Sequence, residues 1–309
     1  MIKQDFFDQV DSLRSGLLLE FEIKPPNFFA HRAKLLFTTP ARMKNGKKVI
    51  FRLAFDKEFN RSIDREVLLY QTAEKKHLDF FPNLIDFGQL LGLKWLMYDY
   101  IDWQPSGDTY RFNISENINF DLILQPLKKL NLLNFLAGSK LIKKCGRKTW
   151  PDLIERIVEK DKNLLSDPLI RAAVAKVRKK KFYPSQLFYV HGDYHPKNIF
   201  LKDKKIKIID WESSHFDSFA FDYSFVWIRS YNEKIREKIW QYLSRQYPAK
   251  INEINYVFLV NLLRDYFEWH EAMKKKNELL ILDKINKSII KNTVHDLYSK
   301  IEFFSNKPN

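Results

Sequence analysis

The feature that most constrains this chain is a stretch near its middle that reads His-Gly-Asp-Tyr-His-Pro-Lys-Asn over residues 191–198, followed by Ile-Ile-Asp ending at Asp210. Asp193 can accept a proton from a hydroxyl group, and Asn198, five positions later, offers a neutral oxygen ligand. Asp210 offers a carboxylate. A hard cation such as Mg²⁺ needs few protein oxygens when water or phosphate supplies the others, so one Asn and one Asp are sufficient. The spacing therefore predicts a base beside a Mg²⁺ site.

The order of base Asp, metal Asn and metal Asp is also the logic of the protein kinase catalytic loop. Two details differ here. Gly192 stands where protein kinases carry Arg, and Trp211-Glu212 follows the second Asp where Phe-Gly is usual. The full pattern resembles the aminoglycoside phosphotransferase and choline kinase group of small-molecule kinases. The resemblance implies Mg²⁺-dependent transfer of the γ-phosphate of ATP or GTP to a hydroxyl of a small molecule, with the base and metal ligands assigned above.

The resemblance further implies an α+β, bilobal protein-kinase-like fold. Residues 1–100 would form a nucleotide-binding lobe with an antiparallel sheet and one main helix, and residues 101–309 a mostly helical catalytic and substrate lobe. Apolar runs between turn residues favour strands in the first part, at residues 17–23, 28–37, 49–55, 84–87 and 93–98. Helical spacing covers residues 63–75, and Asn45-Gly46 predicts a hairpin turn.

Beyond residue 100 the apolar spacing is mainly helical. Residues 102–190 are expected to be mostly helical, with a break near 137–139 and a short apolar run at 186–190 that leads into the His-Gly-Asp motif. Further helical periodicity occurs at residues 235–247, 254–274 and 281–303. Residues 1–15 are expected to form a short amphipathic helix or arm.

In the small lobe, the resemblance implies a cation that grips the nucleotide phosphates and an acid on the adjacent helix that holds the cation. Glu66 is the candidate acid, and the candidate cation is Arg52, where relatives usually have Lys. Arg can bind phosphate and carboxylate through two nitrogens at once, although its reach and geometry differ from those of Lys. The alternative is that Arg52 lies on a solvent face, with Lys47 and Lys48 as substitute cations.

Other nucleotide contacts also follow from the resemblance. The segment that holds the adenine would be residues 97–101, with Tyr98 and Tyr100 among the contacts. Lys197 could reach the transferred phosphate, or it could be an ordinary solvated lysine. The loop expected to cover the phosphates, residues 24–28, has no glycine, which weakens the prediction of a close backbone approach.

Several residues of the motif are expected to act indirectly. In relatives the residue equivalent to His191 fixes the shape of the loop, and Asp222 resembles an acid that holds the loop backbone. His195 is expected to order the same loop. Glu212, beside the metal-binding Asp, could reach a second metal ion.

The acceptor molecule is expected to contact the C-terminal helices. Asp265 and Trp269 are four residues apart and would share one face of a helix. An acid and an aromatic ring together could hold a cationic amine, although the same pattern also fits an amphipathic helix with buried aromatic residues. Aminoglycosides, choline or ethanolamine, amino sugars, other amino alcohols and macrolides all remain open as acceptors.

Composition and net charge do not select one class of substrate. The formal net charge is +15, but the basic runs are scattered over the whole length. This pattern fits a solvated lysine-rich surface, and it also leaves an anionic glycolipid or RNA-associated substrate as an alternative. A pseudokinase that binds a nucleotide or partner without turnover is a second alternative. Cys145 is the only cysteine, and neither a membrane span nor a secretory signal is visible, so a cytoplasmic location is expected.

Overall fold

The computed structural model describes residues 36–54, 56–107, 120–138, 165–179, 186–230 and 233–274, with isolated positions at 8, 11, 15, 19–20, 155, 158–159 and 184. The loop at 24–28 and the helix expected at 281–303 lie outside these described residues, as does most of the N-terminal arm at 1–15 and of the strand at 28–37.

The chain divides into two compact units. Unit 1 contains Met1–Pro105, Gly138–Ile142 and Asn198–Ser213, and unit 2 contains Ser106–Ala137, Lys143–Lys197 and Ser214–Asn309. The segment that begins at Asn198 and includes Asp210 therefore belongs to the same unit as the N-terminal strands. A lobe boundary near residue 100 stays a prediction.

Unit 1 is built on a five-stranded antiparallel sheet with strand order β1-β2-β3-β5-β4. Its strands are β1 (Leu19–Glu20), β2 (Leu36–Met43), β3 (Lys48–Ala54), β4 (Leu84–Leu90) and β5 (Leu93–Asp99). Alternate residues of β3, namely Val49, Phe51 and Leu53, are fully buried, as a period of two requires when one face of a strand packs on the core. The predicted turn at Asn45 and Gly46 joins β2 to β3, and Gly46 has a φ of +82°.

The expected end of the second strand at residue 37 is wrong. β2 stays paired with β3 as far as Arg42, opposite Lys48. Pro40 lies inside this strand and has no N–H to donate. On the other side of β2, the described part of β1 pairs only with the last two residues of β2.

Helix α1 (Asn60–Lys75) packs on this sheet and begins three residues before the expected start. The Asn60 side chain bonds to the β4–β5 turn: its Nδ2 donates to the carbonyl of Gly92 at 2.9 Å, and its Oδ1 accepts from the N–H of Lys94 at 2.8 Å. Tyr70 of α1 stacks on Tyr98 of β5, with 5.4 Å between ring centroids. These contacts fix the helix against the sheet.

A second sheet of unit 1 has the order β6-β8-β9. Its strands are β6 (Gln104–Pro105), β8 (Ile199–Lys202) and β9 (Lys205–Ile208). β8 and β9 form a hairpin with Ile199 opposite Ile208. The two turn residues, Asp203 and Lys204, have φ values of +47° and +62°, which is the geometry of a tight type I′ turn.

Unit 2 contains five described helices and a two-stranded antiparallel sheet of β7 (Phe188–Val190) and β10 (His215–Asp217). The helices are α2 (Phe120–Lys129), α3 (Pro168–Lys179), α4 (Ala220–Ile228), α5 (Glu233–Gln246) and α6 (Ile251–Lys274). Every residue of α4 is buried, and this helix packs against α6. The structure is therefore α+β, as expected.

After α2 the chain continues as a 3-10 helix, Leu130–Gly138, which ends where the sequence predicts a break near residues 137–139. Pro126 lies inside α2 and cannot donate a hydrogen bond to the preceding turn. None of the described helices combines the length and apolar character needed to cross a membrane.

Candidate active site

Arg52 of β3 is surrounded by three carboxylates in unit 1. Its Nη1 donates to Oε2 of Glu66 at 2.9 Å, and its Nη2 donates to Oε2 of Glu212 at 2.7 Å. Oδ1 of Asp210 lies 3.6 Å from Nη1. Only 3% of Arg52 is exposed, so the alternative that it lies on a solvent face is wrong. The Arg65 guanidinium also reaches this cluster through the backbone of Glu212.

The pKa values in this cluster reflect burial and charge together. Burial alone would lower the pKa of Arg52, but the carboxylates of Glu66, Asp210 and Glu212 outweigh burial and raise it. Burial raises the pKa of Glu66 to about 7, with Arg52 opposing the rise and the other two carboxylates adding to it. Oε1 of Glu66 is buried and makes no hydrogen bond within the described residues. A carboxylate oxygen without a donor is poorly stabilised, which is consistent with the raised pKa of Glu66.

The β8–β9 hairpin brings the two predicted metal ligands together. Asn198 directly precedes β8, and Asp210 follows β9 by two residues. The N–H of Ile209 donates to the carbonyl of Asn198 at 3.0 Å. Asp210 has a left-handed φ of +65°, and a third of its side chain is exposed. One amide and one accessible carboxylate are hard oxygen donors, and this donor set fits Mg²⁺.

The residues after Asp210 are anchored by contacts that the sequence analysis did not foresee. Trp211 is fully buried, stacks on Phe81 with 4.0 Å between ring centroids, and donates from Nε1 to the carbonyl of Ile208. Nη2 of Arg65, on α1, donates to the backbone carbonyl of Glu212. Glu212, which the sequence analysis named as a residue that could reach a second metal ion, has its side chain bonded to Arg52 and its backbone carbonyl bonded to Arg65. These two hydrogen bonds join residues that are 160 and 147 positions apart in the sequence, so no local sequence pattern predicts them.

The segment expected to hold the adenine, residues 97–101, consists of the last three residues of β5 and the two residues that follow it. The ring of Tyr98 is buried against α1, and burial raises the pKa of its hydroxyl. Tyr98 is also paired on both sides, opposite Ile50 of β3 and Leu84 of β4, so its contact with a nucleotide base stays a prediction. Tyr100 is 38% exposed. Asp99 fixes the segment, since its N–H donates to the carbonyl of Asn83 at 3.1 Å and its Oδ1 pairs with Lys47 at 2.9 Å.

In unit 2, Asp222 of α4 holds the backbone of the His-Gly-Asp loop. The N–H groups of His191 and Gly192 donate to its two carboxylate oxygens at 2.6 and 3.0 Å. Burial raises the pKa of Asp222, although His191 and the two hydrogen bonds act in the opposite direction. Gly192 has a φ of +83°, a conformation that glycine adopts without steric cost. Asp193 is the next residue, so the bonds to Asp222 and the conformation of Gly192 determine the direction of the backbone at Asp193.

The side chain of Asp193 is 43% exposed and faces His195. Nε2 of His195 lies 3.5 Å from Oδ2 of Asp193, while Nδ1 of His195 accepts the N–H of Lys197 at 3.2 Å. Because Nδ1 is an acceptor, the ring hydrogen of a neutral His195 belongs on Nε2, which faces Asp193. The N–H of Asp193 donates to Nδ1 of the buried His191 at 3.2 Å. Lys197 is exposed, and its contact with a phosphate stays a prediction.

Asp265 of α6, expected to bind the acceptor, is already paired with a cation of unit 2. Nη2 of Arg229 donates to its Oδ1 at 2.8 Å. A cationic amine at this place would have to share the carboxylate with Arg229. The side chain of Trp269 lies outside the described residues. An acceptor-binding role for this pair stays a prediction.

Three examples illustrate the similarity of the chain to solved structures. Aminoglycoside 2'-phosphotransferase-IIIa in its GDP complex has a TM-score of 0.64 at 13% identity and covers 95% of this chain and 99% of its own. Amicoumacin kinase hAmiN, in complex with AMP-PNP, Ca²⁺ and Ami, has a TM-score of 0.60 at 12% identity, covering 96% and 95%. Macrolide 2'-phosphotransferase MphH from Brachybacterium faecium has a TM-score of 0.56 at 15% identity, covering 87% and 93%. At these identities the likeness establishes the fold, which is the expected protein-kinase-like phosphotransferase fold.

No curated protein sequence is significantly similar to the chain. The model of one protein family, described as the phosphotransferase enzyme family (APH), matches residues 31–254, which is well over half of the chain. The match spans the Arg52 cluster, the His-Gly-Asp loop and the β8–β9 hairpin. It agrees with the family expected from the motif, and the chain belongs to the phosphotransferase enzyme family.

Proposed function

We propose that this phosphotransferase moves the γ-phosphate of ATP or GTP to a hydroxyl group of a small molecule, with Mg²⁺ as cofactor. Asp193 is the base, Asn198 and Asp210 bind the metal, and Arg52, held by Glu66, steadies the nucleotide phosphates. Bound Mg²⁺ would neutralise charge on the phosphates. The backbone of residues 97–101 would hold the base of the nucleotide.

The observation that carries this proposal is the hydrogen bond between the N–H of Ile209 and the carbonyl of Asn198. It ties the start of β8 to the residue before Asp210, so an amide and a carboxylate occur together at the end of one hairpin. The Asp210 side chain, one third of it exposed, gives this end of the hairpin an accessible carboxylate for a divalent cation.

The similar structures support a nucleotide as the phosphate donor. One is a GDP complex, and another holds AMP-PNP and Ca²⁺. A related structure of the same type holds GDP and kanamycin. Those ligands belong to those proteins; for this chain they support a purine nucleotide as donor and leave the acceptor open.

The chemistry assigned to the residues is limited, because phosphoryl transfer depends mainly on positioning and charge. Asp193 accepts the proton of the acceptor hydroxyl while the hydroxyl oxygen forms a bond to the γ-phosphorus. The bond from that phosphorus to the bridging oxygen breaks, and the nucleoside diphosphate leaves. His195, with its Nε2 facing Oδ2 of Asp193, keeps the carboxylate oriented towards the hydroxyl.

The test is Mg²⁺-dependent consumption of ATP and GTP across a panel of aminoglycosides, macrolides, amino sugars and amino alcohols. We expect turnover with at least one acceptor and a loss of at least about 10³-fold in kcat for Asp193→Asn, since the base is removed. Asp203→Asn is the matched control: it makes the same chemical change at an exposed residue of the β8–β9 turn. Asn also tolerates a left-handed backbone, so this variant should retain activity.

The other outcomes are informative. Nucleotide binding that depends on Mg²⁺, without turnover for any acceptor, would favour the pseudokinase alternative. The absence of both binding and turnover would contradict the proposal. Equal activity of wild type and Asp193→Asn would remove Asp193 from the role of base.

A further inference from the structure

Arg52 uses two different nitrogen atoms to hold two carboxylates that belong to different parts of unit 1. Nη1 contacts Glu66 on α1, and Nη2 contacts Glu212 after β9. A lysine at this position would present one nitrogen on a flexible stem, while the planar guanidinium presents two arms at a fixed angle. The substitution of Arg for the usual Lys therefore adds a specific contact, the one to Glu212.

Glu212 is held at two points. Its Oε2 accepts from Nη2 of Arg52 at 2.7 Å, and its backbone carbonyl accepts from Nη2 of Arg65. Between this residue and Asp210 lies Trp211, which is fully buried against Phe81. The short 3-10 turn Trp211–Ser213 is thus fastened to β3 and to α1 by two arginines and an aromatic stack.

Asp210 depends on this anchoring. Its φ of +65° is a conformation that residues other than glycine adopt only at a cost. Such a conformation persists when the neighbouring structure imposes it. The preceding residue is fixed by the bond from Ile209 to Asn198, and the following residues are fixed by Trp211 and Glu212. Glu212 therefore completes the set of contacts that imposes this backbone conformation.

We propose that Glu212 is a positioning residue, which acts through Arg52 and Arg65 to hold Asp210 in the geometry that binds the divalent cation, and that Arg52 is required for this in place of Lys. The inference rests on the proposed function, because it takes Asp210 as a metal ligand. It assigns Glu212 a role through Arg52 and not as a second ligand of the metal.

Binding of Mn²⁺ in the presence of a non-hydrolysable ATP analogue, measured by electron paramagnetic resonance, tests the inference without turnover. We expect Glu212→Ala to weaken Mn²⁺ binding by about 10- to 100-fold, the usual effect of removing a partner that orients a metal ligand. Glu212→Gln should retain most of the affinity, because its amide oxygen can still accept from Nη2. Arg52→Lys should resemble Glu212→Ala, and the double variant should lose little more than either single variant.

The matched control is Asp64→Asn. Asp64 also lies on α1, and its carboxylate pairs with Lys94 of β5 at 2.6 Å. Its loss should leave Mn²⁺ affinity within about twofold, the change expected of an ordinary surface pair. Hydrogen exchange at the amides of residues 209–213 gives a second, metal-independent measurement: exchange should be faster in Glu212→Ala and close to wild type in Glu212→Gln.

Distinct results would overturn distinct claims. Additive losses for Arg52→Lys and Glu212→Ala would show that the two residues act separately, against the inference. A loss in Glu212→Gln as large as in Glu212→Ala would show that the negative charge of Glu212 is required in addition to its hydrogen bond, against a role through hydrogen bonding alone. Wild-type binding with an unaffected Glu212→Ala would refute the inference alone. No nucleotide-dependent Mn²⁺ binding in the wild type would refute both the inference and the proposed metal site.

Discussion

Glu66 is a residue whose protonation should change near neutral pH. Burial raises its pKa from 4.5 to about 7, even though Arg52 lies 2.9 Å away and opposes the rise. Between these two values the folded protein keeps a proton on Glu66 that the unfolded chain has lost. The stability gained from this proton is therefore complete below the unfolded pKa and is lost as the pH rises through the folded pKa.

Replacing Glu66 with Gln should remove this pH dependence. We expect the unfolding free energy of wild type to fall relative to that of Glu66→Gln by about 1–3 kcal/mol between about pH 5 and pH 8, since each pKa unit corresponds to about 1.4 kcal/mol. Urea denaturation of both proteins at several pH values measures the difference. Parallel pH profiles for the two proteins would contradict the raised pKa of Glu66.

Single residues also show what the sequence could and could not reveal. The pairing of Arg52 with Glu66 was predictable because the family pattern places a cation on one strand and an acid on the next helix. The contact of Arg52 with Glu212 was not, because the two residues are 160 positions apart. The one indirect signal in the sequence is the Arg at a position where relatives usually have Lys. A guanidinium has a second terminal nitrogen that can bind a second carboxylate.

At the scale of elements, Asp222 links helix α4 to the loop that carries Asp193. It accepts the N–H groups of His191 and Gly192. We expect Asp222→Ala to lower the unfolding free energy by about 2–5 kcal/mol, because two backbone donors would lose their acceptor in a region that includes the fully buried His191. Thermal or urea unfolding measures this loss, and kcat should fall in the same variant.

Asp222→Asn tests the same contact between α4 and the loop with a smaller change. Its amide oxygen can accept one of the two hydrogen bonds, while its NH₂ group would face the other donor. The variant should therefore fall between wild type and Asp222→Ala in stability. A wild-type stability for Asp222→Ala would show that the loop holds its shape without α4.

Elements were predictable where a local pattern defines them. β3 and β5 agree closely with the predicted strands because each is a short, largely apolar run whose residues are mostly buried. The start of α1 was missed because the Asn60 side chain bonds to Gly92 and Lys94, which are distant in sequence. The end of β2 was missed because it is defined by pairing with another strand: β2 continues through Pro40 in register with β3 as far as Arg42.

For the whole molecule, the net charge of +15 is compatible with a small acceptor and with a polyanionic substrate, and the dependence of substrate affinity on salt distinguishes the two. We expect the KM for a small acceptor to change by less than about threefold between 50 and 200 mM salt, because few counterions are released when a small molecule binds. A protein that contacts several phosphates of a polyanion loses about 10³-fold or more in affinity over the same range. Initial rates at several salt concentrations measure this, and a steep dependence would favour an anionic glycolipid or RNA-associated substrate.

The β8–β9 hairpin also determines where this chain can vary in length. Asn198 and Asp210 are separated by two paired strands and a two-residue turn. An insertion of one residue within either strand would reverse the faces of the following side chains, exposing the buried Ile206 and Ile208 and separating the two metal ligands. At Asp203 and Lys204, beyond the last strand pair, added residues would lengthen only the exposed turn. Homologous chains should therefore differ in length at this turn and keep the strands on either side of it constant.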